Sequence, residues 1–449
     1  MKTNFKVLPL MVCSMLGLQA CQSGDSGPTI KAPNQLVDVG SELYARIRTS
    51  SEDADTLFKS FGATESGDEL CDVKIHRMIY DTVGGAGEST TSSGVFMLPH
   101  GDDPACSGPR PVVLYAHGTS TDRGYDLSQM ISNSSNDAAG EGMLLLAAYA
   151  SNGYAVIAPN YAGYSFSSLG YHPYLDELQQ STEMMDALDH VRKYSDEIGA
   201  DLSSELFIAG ASQGGYVAMA THKALEAKGE TVTASLPISG PYAILDYFDA
   251  LFAGYVSGGA TQYSPMVLTA MQKSDAIYSD PSEVYDAAYA DFAENSLPRT
   301  GGFAASGLPA TALFSGEAPE DANPLNQMGF GDDHLLSDDF RALYLSDLMA
   351  NGDTPVYPIR ALVAERDMRD WQPAAPTMLC GASTDPVVYY SNTTTMKDYW
   401  EASANPYVSS FDVTNLPSWQ AAEIPAGSIH GQTGVFCTGV GLQFFANFR

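Results

Sequence analysis

Residues 207–216 read FIAGASQGGY and place Ser212 between Gly210 and Gly214 in a Gly-x-Ser-x-Gly pentapeptide. A serine hydroxyl is a weak nucleophile until a base takes its proton. The chemistry on offer is therefore acyl transfer, and it needs an imidazole, a carboxylate to orient it and donors for an oxyanion. With 41 glycines in the chain, the pentapeptide alone arises too readily by accident to carry the assignment. The partners should follow in the order serine, acid, histidine. Asp385 comes directly after PTMLCGA, which reads as a buried strand, and of the eight histidines His430 alone lies beyond it, in PAGSIHGQTG. Asp367 and Asp370, in AERDMRDW, are the rival acids, but they precede that strand. The expected reaction starts when His430 takes the Ser212 proton and the alkoxide attacks an ester carbonyl. The Gln213 backbone N–H, at the start of a helix, helps to hold the oxyanion, and water activated by the same imidazole releases the acyl group. No metal or organic cofactor is required, and no Cys/His cluster has the spacing of a zinc site.

Such a site needs a scaffold that lifts the serine off a sheet. ELFIAG (205–210) reads as a strand and YVAMATHKALEAKG (216–229) as a helix, so Ser212 falls on a strand-to-helix turn. A second oxyanion donor is expected from the loop after an earlier strand, where the chain reads LYAHGT (114–119). PVVLYA, YAVIAP, TASLPIS and PTMLCGA are further short apolar runs, as parallel strands buried on both faces require. Residues 175–199 carry Met184, Met185, Leu188 and Val191 at helical spacing, which marks a core-facing helix. Residues 72–80 and 93–98, separated by VGGAG, predict an antiparallel hairpin at a sheet edge. The fold class is α/β, with a mostly parallel central sheet flanked by helices. Residues 241–374 break the rhythm with Tyr-, Ala- and Phe-rich helical stretches, too long for a loop, and read as a largely helical cap suited to an apolar ligand. The expected plan is a core of residues 51–240 and 375–449 around that cap.

Acidic residues outnumber basic ones by 54 to 22, for a formal charge of −32, which opposes binding to nucleic acid or anionic lipid headgroups. Lys2 and Lys6 precede the apolar stretch VLPLMVCSMLGL, too short to span a membrane, so residues 1–20 read as a signal peptide. Leu18-Gln19-Ala20-Cys21 resembles the lipobox of bacterial lipoproteins, which implies lipidation of Cys21, export and a membrane anchor; Gln22 then favours the outer membrane. The Gly-, Pro- and Ser-rich text that follows makes residues 21–50 a flexible tether. Four other cysteines remain beyond the signal, Cys71, Cys106, Cys380 and Cys437. They allow three pairings, of which Cys71 with Cys106 and Cys380 with Cys437 is the more local choice.

Residues 158–194, APNYAGYSFSSLGYHPYLDELQQSTEMMDALDHVRKY, resemble the secretory-lipase family of α/β-hydrolases through Tyr161, Gly163, His172, Pro173, Tyr174, Leu175, Asp189 and Arg192. Asn160 and Ser165 depart from that pattern, standing where the family has Asp and Gly. The resemblance implies the α/β-hydrolase fold and a lipase or esterase acting on a small-molecule or lipid ester beneath a helical cap. His117-Gly118-Thr119 resembles the oxyanion loop of α/β-hydrolases with a single His-Gly pair, which implies that Thr119 donates its N–H and that His117 is structural. His172, remote from the serine, is expected to serve structural hydrogen bonding. Two alternatives stand beside the esterase reading, a serine peptidase of the prolyl-oligopeptidase-like branch and a non-catalytic surface lipoprotein that uses the scaffold for binding.

Overall fold

The computed structural model describes residues 30–48, 59–61, 70–322 and 324–449. The signal peptide and Cys21 lie outside the described residues. A nine-stranded sheet runs through the molecule. In chain order its strands are β1 (Asn34–Val39), β2 (Asp72–Val83), β3 (Ser89–His100), β4 (Arg110–Ala116), β5 (Ala155–Pro159), β6 (Leu202–Ala211), β7 (Ala234–Ile238), β8 (Thr377–Gly381) and β9 (Val408–Asp412). Their spatial order is β1-β2-β3-β5-β4-β6-β7-β8-β9. The first three pair antiparallel, and β3 is also antiparallel to β5. From β5 to β9 every pairing is parallel. This is the α/β-hydrolase fold that the sequence predicts.

The central parallel strands β4, β5, β7 and β8 are buried at every residue. Apolar side chains on both faces of such strands leave no stable alternative to cover by helices. The helix Glu177–Ile198 supplies part of that cover. Asp176 caps it by accepting from Gln179 N–H, and Gly199 ends it in the left-handed region at φ 67°. Met184, Met185, Leu188 and Val191 are all buried against the sheet, as their spacing predicts.

Three local expectations need correction. Residues 34–48, expected in the tether, form β1 and the helix Ser41–Arg48, and β1 pairs with β2. The strand β9, VSSFD, has no counterpart in the sequence reading, because a short, polar, half-exposed edge strand has no continuous apolar run. His430 lies in the first turn of the helix Ile429–Ala446 rather than in a loop. That helix contains Gly431, Gly434, Gly439 and Gly441, which argue against helix by propensity. Packing overrides propensity here: a Cβ on Gly441 would stand 2.0 Å from Leu236 Cδ2 of β7.

Between β7 and β8 the chain forms the helices Ile244–Ala253, Ala260–Asp275, Asp338–Asn351 and Pro358–Glu365, and a long connection over residues 276–337, with the short helix Pro324–Gln327 in it, separates the second from the third. Arg360, fully buried, ties three of these together, with Nη2 on Asp249 Oδ2 at 2.7 Å and Nη1 on Asp347 Oδ2 at 3.0 Å. Among the described residues no helix is long and apolar enough to cross a membrane. No group of His, Cys, Asp and Glu among them is arranged to hold a metal ion.

Candidate active site

β6 ends at Ala211 and the next helix begins at Gln213, so Ser212 occupies the single residue between them. Its backbone is forced to φ 61° and ψ −122°, a conformation that an L-residue holds only when its surroundings impose it. Ser212 N–H donates to Ile238 O of β7 at 2.8 Å, and Gly215 N–H donates to Ser212 O at 2.9 Å. The glycines supply clearance. A Cβ on Gly210 would lie 2.3 Å from Gly214 O, and one on Gly214 would lie 2.0 Å from Ala116 O of β4. Gly215 has the same task on the other side, where a Cβ would meet Ile238 O at 2.4 Å. Three adjacent strands and the helix can therefore crowd around the serine only without side chains at these positions.

Asp385 and His430 come together from different elements. His430 Nδ1 lies 2.7 Å from Asp385 Oδ2. The Asp385 side chain is 1% exposed, and its other carboxylate oxygen accepts from Val387 N–H at 2.9 Å and Val388 N–H at 3.2 Å. With both oxygens accepting, the imidazole carries its proton on Nδ1 and presents a lone pair at Nε2. Below this pair, Cys380 of β8 is disulfide-bonded to Cys437 of the His430 helix, and Cys71 is bonded to Cys106, so both expected pairings form. The rival acids serve elsewhere. Asp367 accepts from Leu245 N–H at 3.1 Å and pairs with Arg369, while Asp370 pairs with Lys223 at 2.7 Å.

The loop after β4 borders the elbow, since a Cβ on Gly118 would lie 4.0 Å from Ser212 Cβ. Gly118 N–H donates to Glu141 Oε1 at 3.1 Å, and Thr119 Oγ1 lies 2.8 Å from Tyr174 Oη. His117 is fully buried, stacked between Tyr125 at 4.2 Å and Tyr161 at 4.0 Å, with Nε2 3.0 Å from Asn160 O. Burial pushes its pKa down, so it fixes the loop rather than exchanging protons at neutral pH.

His172 reaches the elbow. Its Nδ1 donates to Ala162 O at 2.8 Å, and its Nε2 lies 2.6 Å from Gln213 Nε2. Burial lowers its pKa to about 3, so the ring is a neutral link that holds the Gln213 side chain. Asn160 shows why an amide suits that position. Its nitrogen donates to Ser93 Oγ at 2.9 Å and to Asp126 Oδ1 at 3.2 Å, and its oxygen accepts from Leu127 N–H at 2.9 Å. A second carboxylate facing Asp126 would repel it. Glu141 and Glu183 join the site without any signal in the sequence. Glu183 accepts from Ala162 N–H at 2.9 Å, and its burial raises its pKa.

Ser212 opens into an apolar pocket. Tyr247, Phe248 and Leu251 reach it from the helix Ile244–Ala253, Tyr263 and Val267 come from Ala260–Asp275, and Val387 and Val388 come from the Asp385 loop. The segment between β7 and β8 thus supplies much of the wall, and the loop that orients His430 also shapes the pocket.

Residues 143–263, which include the elbow, match the prolyl oligopeptidase family. The rice cell wall degrading esterase LipA of Xanthomonas oryzae aligns at TM-score 0.71 and 26% identity, covering 92% of this chain and 96% of that one. A second crystal structure of that esterase aligns at TM-score 0.73 and 25% identity, over 94% and 99% of the two chains. A protein of Legionella pneumophila subsp. pneumophila str. Philadelphia 1 shares the fold at TM-score 0.67 and 18% identity, over 93% and 98%. No curated protein sequence matches the chain. The likeness to an esterase over nearly its whole length and to the prolyl oligopeptidase family across the elbow makes this chain a serine hydrolase of the α/β-hydrolase type.

Proposed function

We propose that the chain is a carboxylester hydrolase in which Ser212 is the nucleophile, His430 the general base and Asp385 the residue that orients it. The observation that supports this most is the Asp385–His430 hydrogen bond of 2.7 Å, contributed by the two segments that follow Ser212 in the required order. Asp385 holds the Nδ1–H tautomer, which leaves Nε2 to take the Ser212 proton as the hydroxyl attacks the ester carbonyl. The backbone N–H groups of Gln213 and Thr119 hold the oxyanion, each such donor being worth about 10²–10³ in rate. His430 then protonates the leaving alcohol, and water deprotonated by the same Nε2 releases the acid. Residues 241–374 act as the lid, and the aromatic and aliphatic pocket wall selects esters with an apolar group.

The match to the prolyl oligopeptidase family supports a second reading, hydrolysis of peptide bonds by the same residues. Short-chain p-nitrophenyl esters and peptidyl p-nitroanilides, offered in parallel to a form starting at residue 30, separate the two. The ester reading requires the esters to dominate in kcat/KM, and turnover confined to the anilides contradicts it. We propose further that the protein is exported and anchored by a lipid on Cys21. Its two disulfides support export to an oxidising compartment, and mass spectrometry of the mature N-terminus tests the anchor.

A further inference from the structure

The loop expected to supply the second oxyanion donor begins and ends on one carboxylate. Glu141 stands in the first turn of the helix Ala139–Ala148. Its Oε1 accepts from Tyr115 Oη, of the penultimate residue of β4, at 2.8 Å, and its Oε2 accepts from Tyr125 Oη, beyond the loop, at 2.9 Å. Between the two tyrosines, Gly118 N–H donates to Oε1 at 3.1 Å. Tyr161 Oη donates to His117 O at 3.1 Å. His117 O and Gly118 N–H lie on opposite edges of one rigid planar peptide unit, so that plane is held from both sides. Thr119 N–H is only the two torsions of Gly118 away from it, and Gly118 has no side chain to resist rotation. A Cβ on Gly118 would lie 4.0 Å from both Glu141 Oε2 and Ser212 Cβ, so the clamped unit borders the elbow. Thr119 N–H has no acceptor among the described residues, whereas Gly118 N–H is spent on Glu141.

We propose that Glu141 is a positioning residue for acyl transfer: by holding Gly118 N–H it aims the backbone N–H of Thr119 at the oxyanion. The inference rests on the ester-hydrolase reading above. Without that acceptor Gly118 N–H is left unpaired, the peptide unit turns to find another partner, and Thr119 N–H turns with it. The clamp needs an acceptor at Oε1 rather than a charge. An amide has that acceptor, and its NH₂ can donate to Tyr125 Oη, since a phenol oxygen accepts as well as donates. A shorter carboxylate keeps the charge and withdraws the acceptor by one methylene. Glu141→Gln, Glu141→Asp and Glu141→Met therefore separate geometry from charge.

The test measures kcat and KM for p-nitrophenyl butanoate beside the inhibition constant of butyl trifluoromethyl ketone. Ser212 Oγ adds to the carbonyl carbon of that ketone, the serine proton passes to His430, and the carbonyl oxygen becomes an oxyanion in the same place as the ester's. Glu141→Asp and Glu141→Met should lower kcat by about 10–10² with KM within about twofold, because a misaimed oxyanion donor weakens the transition state alone. The ketone should bind more weakly by the same factor, which a loss of stability does not produce in the folded protein. Glu141→Gln should restore kcat to within about threefold of wild type. Folded Glu141→Asp or Glu141→Met protein with wild-type kcat overturns the proposal, as does a fall in kcat that leaves the ketone's affinity unchanged. An equal fall in Glu141→Gln also overturns it, since the charge is then what matters. Where Glu141→Met does not fold, Glu141→Asp decides. A wild-type protein that turns over no ester sinks the ester reading and the proposal with it, whereas failure of the proposal alone shows only in the variants.

Discussion

Cys437 is bonded to Cys380 across a Cα–Cα distance of 5.8 Å, and the bond ties the helix that carries His430 to the strand that leads to Asp385. Cys437 lies about two helical turns beyond His430 on that helix. The cross-link therefore fixes the two halves of the proposed acid–base pair relative to each other.

Replacing both Cys380 and Cys437 by alanine should lower kcat and stability together. The bridge closes a sequence separation of 57 residues, so chain entropy puts its contribution at about 4 kcal/mol. The corresponding change at Cys71 and Cys106, which join β2 to the segment before β4, should lower the denaturation midpoint but leave kcat of the folded protein near wild type. Kinetics and chemical denaturation of the two double variants check this.

Asp385→Asn keeps the shape of the side chain but offers an N–H where His430 now donates, which favours the wrong tautomer. A fall in kcat of about 10⁴ is expected, with little change in KM. Asp367→Asn and Asp370→Asn serve as contrasts, since their carboxylates engage Leu245, Arg369 and Lys223 instead. Both should retain kcat within about an order of magnitude.

Two buried histidines make stability sensitive to acid. Burial lowers His172 to about 3 and His190 to about 4, from an ordinary value of 6.5. Between those values and 6.5 the unfolded chain binds protons that the folded chain refuses. Their contribution is therefore fully present above pH 6.5 and is lost as the pH falls towards 3. A single such group changes stability by about 1.4 kcal/mol per pH unit in that window. Denaturation midpoints between about pH 7 and about pH 4.5 should fall, and the slope should be shallower in His172→Gln.

The elbow glycines should tolerate nothing larger. Gly214→Ala would bring a Cβ to 2.0 Å from Ala116 O, and Gly215→Ala would bring one to 2.4 Å from Ile238 O, both contacts with backbone that cannot swing aside. Each should cost more than about 3 kcal/mol or abolish soluble expression. Gly170→Ala, whose Cβ would meet nothing within 4 Å, should stay within about 0.5 kcal/mol of wild type. Thermal or chemical denaturation measures all three.

Local signals explain which features can be read in advance. β4, β5, β7 and β8 are apolar on both faces, so their text shows them directly. Ser212, Asp385 and His430 are legible as candidates because chain order and the strands before Ser212 and Asp385 restrict the choice. β1 and β9 are short, largely exposed or half-buried edge strands, and the His430 helix is rich in glycine, so their local patterns point away from the structure that packing imposes. The contacts of Gln213 with His172, Gly118 with Glu141 and Ala162 with Glu183 span 21 to 41 residues and have no periodic signature at all. Gly215 has no evident task in the sequence, because its need for clearance comes from β7, which no neighbouring residue reveals.

The central claim is that Ser212 is the nucleophile. Labelling with a fluorophosphonate, followed by peptide mass spectrometry, tests it most directly. One adduct on Ser212 is expected, with loss of labelling and of ester turnover in Ser212→Ala. A wild-type protein that turns over esters while its label sits on another residue, or a Ser212→Ala variant that keeps wild-type turnover, would contradict the account.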